Sequence, residues 1–168
     1  MKDLNKRRLY WRKDAGKSEN TTGASSLILD YYSKQVTFSG SCSSLIQKSR
    51  IQFPCRYDLN IFSVEQMIET RFSPVILYSG RETHISLIES LAERYGLRSC
   101  TVGELVAFFV RYPLVRIFHN VVAPELAIRI DDVDCVAQVS VGFNGTLTFS
   151  LARKASLFKC TAFLLKEK

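Results

Sequence analysis

The apolar and polar positions change their period twice along this chain. Residues 26–40, "SLILDYYSKQVTFSG", carry short apolar runs that predict one or two strands, with Gly40 as a break. Residues 49–62, "SRIQFPCRYDLNIF", read as a second strand-like region; Pro54 places it at an edge or a bend, because proline cannot donate to a ladder. The period then lengthens. "SVEQMIETRF" holds Val64, Met67, Ile68 and Phe72 at helical spacing, which predicts a helix starting at Ser63 and stopped by Pro74. "PVILYS" follows as a short strand, and Ser79 with Glu82 matches a capping box, in which each side chain satisfies the other's orphaned backbone donor. Ile85, Ile88, Leu91, Ala92 and Tyr95 form the apolar stripe of the next helix, and Gly96 supplies its left-handed stop. A second box, Thr101 with Glu104, opens a helix running through Phe108 and Phe109 to Tyr112.

From Leu114 the pattern returns to strands. "LVRIFHNVV", "ELAIRI", "CVAQVSVGF", "TLTFSLA" and "FKCTAFLL" are rich in Val, Ile, Phe and Thr, and are separated by Pro124, "DDVD" and "NG". Asn144-Gly145 is the strongest hairpin signal. A two-residue loop there sets Val139 and Val141 against Ser150 and Thr148, whereas a three-residue loop sets them against Leu151 and Phe149. Burying one consistent face outweighs the turn preference, so a bulge or longer loop is expected. Helices grouped ahead of a run of strands predict an α+β fold: one domain over residues 27–168, its central helices packed on a mainly antiparallel sheet.

Composition adds an N-terminal element to this picture. Residues 1–26 lack an apolar period, and residues 14–26, "DAGKSENTTGASS", read as a flexible polar linker. Ahead of the linker, Lys2, Lys6, Arg7, Arg8, Arg12 and Lys13 stand against Asp3, giving residues 1–13 a net +5 of the chain's +7. Basicity therefore belongs to the arm, and a cluster of this kind attracts polyanions over about a Debye length, ~8 Å at physiological salt. Leu9, Tyr10 and Trp11 sit among these charges, where they could stack on bases, anchor at a lipid interface or dock on a neighbouring subunit. Five scattered cysteines without a CxxC pair predict reduced thiols and an intracellular setting. No apolar run reaches the roughly 18 residues a membrane span needs.

Each candidate for catalysis has a plainer alternative. "AGKS" at residues 15–18 ends like a phosphate-binding loop but lacks its first glycine and its preceding strand. His84 borders the helix stripe, and together with His119 it reads as a packing side chain, because a catalytic imidazole needs a positioned partner. Asp131, Asp132 and Asp134 could hold a hard cation, but between two strands they read first as a turn. A hydrolase or phosphotransfer enzyme using His84, His119 or the Asp131–Asp134 cluster stays as an alternative, which expects His84 and the aspartates to converge in one pocket. The leading expectation is a non-enzymatic protein without cofactor or metal.

Two resemblances bear on function. "LAERYGLRSCTVGELV", residues 91–106, resembles the helix-turn-helix of bacterial DNA-binding regulators, with Ala92 as the small inward residue, Gly96 in the turn and Leu97 as the apolar anchor. That resemblance implies DNA reading by residues 91–112, with Arg98, Thr101 and Arg111 as the base-reading residues. The layout as a whole, a short basic arm followed by strand, helix, strand, helices and a closing sheet, is similar to the matrix proteins of rhabdovirus-like viruses. This second resemblance implies a homo-oligomer that engages nucleic acid or nucleoprotein and, peripherally, an anionic membrane surface.

Overall fold

A computed structural model describes residues 7–10, 27–32, 34–53, 67–112, 120–142, 144–159 and 161–168. In chain order the elements are β1 (Arg7–Tyr10), β2 (Leu27–Tyr31), β3 (Val36–Ser41), α1 (Cys42–Ser49), β4 (Ile51–Gln52), β5 (Met67–Phe72), β6 (Pro74–Ser79) and β7 (Thr83–His84). They continue with α2 (Ile85–Arg94), β8 (Leu97–Ser99), α3 (Val102–Arg111), β9 (Asn120–Ile130), β10 (Val133–Val141), β11 (Leu147–Arg153), β12 (Leu157–Phe158) and β13 (Thr161–Glu167). The described chain is thus a mixed helix–strand structure dominated by its strands.

Nine strands form one sheet in the order β1-β2-β6-β13-β9-β10-β11-β4, with β8 also pairing to β13. Neighbours are antiparallel except β13 with β9 and β11 with β4. The central strands alternate their side chains between two cores. In β6, Val75 and Leu77 enter one core and Ile76 the other; in β13, Phe163 and Leu165 oppose Ala162 and Leu164 in the same way. Burial on both faces explains why these strands read as continuous apolar runs rather than as alternating ones. One face is covered by α1, α3 and the β3–β5 ribbon around Leu45, Phe72, Phe108, Phe109 and Phe149. On the other lies α2, through Ile85, Ile88 and Ala92.

Several expectations hold. α2 ends in Gly96 at φ 68°, and α3 opens with the full Thr101–Glu104 box, Glu104 N donating to Thr101 Oγ1 at 3.2 Å and Thr101 N to Glu104 Oε2 at 2.9 Å. The Asn144-Gly145 hairpin closes with a longer loop, Val141 opposite Leu147 and Val139 opposite Phe149, so apolar faces apolar as expected but two residues out from the predicted register.

Others are corrected. Met67–Phe72 is a strand, not the second half of a helix: it pairs with β3, setting Phe72 opposite Val36 and Thr70 opposite Phe38, and its buried positions, Thr70 and Phe72, alternate with exposed Glu69 and Arg71. The Ser79–Glu82 box does not form. Ser79 closes β6, its hydroxyl 2.6 Å from that of Thr83, and α2 starts later, capped at His84 without a side-chain bond. Pro124 does not divide two strands; β9 runs through it, and the register shift opposite Val136 is a bulge that absorbs a residue with no N–H to give. Gly40 lies within β3, and α1 follows immediately, capped by Ser41, which accepts from Ser44 N at 3.3 Å.

Candidate functional site

Two places in the fold gather the residues singled out by the sequence. The first is the sheet edge at β1. Arg7–Tyr10, expected to be part of a flexible arm, runs antiparallel to β2 with Arg7 opposite Tyr31, Arg8 opposite Asp30, Leu9 opposite Leu29 and Tyr10 opposite Ile28. The physical reason is that β2 would otherwise end the sheet with an unpaired row of backbone donors and acceptors, and a short extended segment completes it. Lys2, Lys6, Trp11, Arg12 and Lys13, like the "AGKS" string, lie outside the described residues. Leu29 and Asp30 are both buried, at 3% and 4% exposure. A carboxylate inside a sheet is costly unless a partner accompanies it, and the register sets an arginine position directly across from it. The field of Asp30 also reaches Tyr32, whose phenol is pushed up to about 12, first by burial and then by that carboxylate. Tyr32 itself is held edge-on against Phe108 and Tyr112, with ring centroids 5.5 and 4.8 Å away.

The second place is an open depression of about 480 Å³ between the start of α2 and the β9–β10 hairpin. His84, Ser86 and Glu89 line it from the β7–α2 segment, Arg129, Asp132 and Asp134 from the hairpin, together with Lys154. His84 is exposed rather than packed, which corrects the reading of it as a core side chain: it precedes the helix stripe and its imidazole has no hydrogen-bond partner among the described residues. His119 lies outside the described residues. Asp131 and Asp132 form the hairpin turn at φ 47° and 60°, as the turn reading required. Four of the charges in the depression are paired with one another. Arg129 Nε donates to Asp134 Oδ1 at 2.7 Å and Lys154 Nζ to Glu89 Oε1 at 2.6 Å. The Arg129 hydrogen bond holds the Asp134 carboxyl below the usual carboxylate range. Among the described residues no group of three or more His, Cys, Asp or Glu side chains is placed to hold a metal ion.

The residues of the helix-turn-helix resemblance lie on different elements. A strand, β8, occupies the place of the turn, and Arg98 on it pairs opposite Lys166. Thr101 is the N-cap of α3, and Arg111 is exposed at the far end of that helix. Between them Glu104, Leu105, Val106, Ala107, Phe108 and Phe109 are all buried, so α3 is a core helix.

Asp30, Glu89, Arg129 and Lys154 belong to these two places although no motif marks them. Asp30 did leave a signal, a lone charge inside the apolar run "LILDY". Glu89 and Lys154 left none, since the two lie 65 positions apart and each looks like an ordinary surface charge. No helix among the described residues is long and apolar enough to cross a membrane. No protein-family model, curated protein or solved structure matches this chain.

Proposed function

We propose that this is a non-enzymatic α+β assembly protein, matrix-protein-like and intracellular, that self-associates and engages a polyanion through its basic N-terminal arm. One observation carries the reading: +5 of the +7 net charge lies in residues 1–13, ahead of a nearly neutral remainder. Nucleic acid, nucleoprotein and a peripheral anionic membrane surface all offer the phosphates such an arm attracts. Arg7 and Arg8 join the sheet edge through β1, so the arm's charge is tied to the folded part of the molecule. The paired charges of the depression support a structural rather than a reactive role for that surface.

The test is removal of residues 1–13. Binding to duplex DNA and to anionic vesicles disappears in the truncated protein; binding that survives unchanged rejects the arm as its source. Alanine at Lys2, Lys6, Arg12 and Lys13 leaves β1 in place and flattens the log–log salt slope on DNA by ~0.9 for each phosphate that is no longer neutralised.

A hydrolase or phosphotransfer enzyme is the second reading, and one observation favours it: His84, Asp132 and Asp134 line the same depression. Turnover of a chromogenic phosphate ester that is abolished by His84→Ala establishes it; turnover unaffected by that substitution removes it.

A further inference from the structure

β1 pairs with β2 alone, through four residues, yet the two strands are separated in sequence by 16 residues, where antiparallel neighbours are ordinarily joined by 2–5. β1 and β2 are therefore not joined as a tight hairpin. The place itself is selective: Arg8 stands opposite buried Asp30, and Leu9 opposite buried Leu29. A ladder of this kind is identical whether the strand comes from its own chain or from another, which is the condition for strand exchange.

We infer that the β2 edge is the self-association site of this protein, and that its occupant in the assembly is Arg7–Tyr10 of a second copy. The inference rests on the self-association reading above and names the surface it uses. Exchange closes on itself: when each of two chains lends its β1 to the other, Arg7 still lies opposite Tyr31 and Tyr10 opposite Ile28, and a two-fold axis relates the pair. Own-chain pairing is intramolecular, so exchange sets in where copies are crowded, as along a polyanion that collects their arms.

The experiment uses full-length protein, freed of nucleic acid and lipid, with mass read by light scattering. Arg8→Glu and Asp30→Arg each place like charges across the ladder within one chain, but between the two variants both ladders are complementary. Each alone is a monomer; mixed, they form a heterodimer of twice the mass. Because Asp30 is buried, a second variant stands beside this pair. Deleting residues 11–26 joins Tyr10 to Leu27 with no turn, leaving one nine-residue strand that keeps β6 on one side and can complete its other edge only with the same strand of another copy, Leu27 opposite Leu27. This variant is a dimer. If it folds as a monomer, or if the folded charge variants stay monomeric when mixed, β1 docks only on its own chain and the inference is overturned. Polyanion binding by the arm is measured separately and survives that outcome, so the two failures are distinguishable.

Discussion

Lys166 Nζ stands 2.7 and 2.8 Å from the two carboxylate oxygens of Glu104, joining an interior strand of the sheet to the first turn of α3. Both side chains are nearly buried, at 14% and 12% exposure. The same carboxylate completes the capping box with Thr101, so one group satisfies a helix terminus and a buried ammonium together.

Removing one partner of this pair strands a charge. Lys166→Ala is expected to destabilise the protein by about 3–5 kcal/mol in urea unfolding, as breaking a buried ion pair does. Lys166→Met combined with Glu104→Gln costs less than the single change, because no charge stays unmatched and glutamine keeps the box.

Gly96 ends α2 at φ 68°, and a Cβ built there meets nothing within 4 Å. Space is thus no obstacle, and only the left-handed backbone resists a side chain. Gly96→Ala lowers stability by about 1–2 kcal/mol, and Gly96→Asn by less, measured by thermal unfolding.

Asp134 titrates below its ordinary value of 3.8, first because of its hydrogen bond from Arg129. A depressed carboxylate contributes stability that is present above its unfolded value and is lost as pH falls through the folded one. Both partners are solvent-exposed, so the clear readout is the titration itself. In a carbon-detected NMR titration the Asp134 midpoint lies below 3.8, and Arg129→Ala returns it upward.

Cys42, Cys100 and Cys135 are free and buried, and burial pushes the Cys42 and Cys100 thiols up. Thiolate is the reactive form, so Cys42 and Cys100 are expected to resist maleimide in the native protein, as is Cys135 through burial alone, and all three to react once urea unfolds it, as read by peptide mass spectrometry.

What was legible in the sequence follows from where local preference and tertiary demand agree. The stripe Ile85, Ile88, Ala92 with its Gly96 stop, and the Thr101–Glu104 box, state locally what the packing also requires. At Met67–Phe72 the two conflict: apolar spacing fits a helix, but Phe72 and Thr70 are held by Val36 and Phe38 from 32 or more positions away. α1 is hard to read because "CSSLIQKS" offers only Cys42, Leu45 and Ile46 as apolar residues, too few to show a period. The depression was half legible, with His84 and the aspartates visible and their neutralising partners hidden in distant segments.

β13 follows every other described strand in sequence yet lies inside the sheet, between β6 and β9. During synthesis β6 and β9 emerge with no strand to bridge them, and each presents an open apolar edge until Thr161–Glu167 arrives. The sheet is therefore completed last at its middle, a long-range closure that slows folding and leaves the nascent chain open to association with its neighbours.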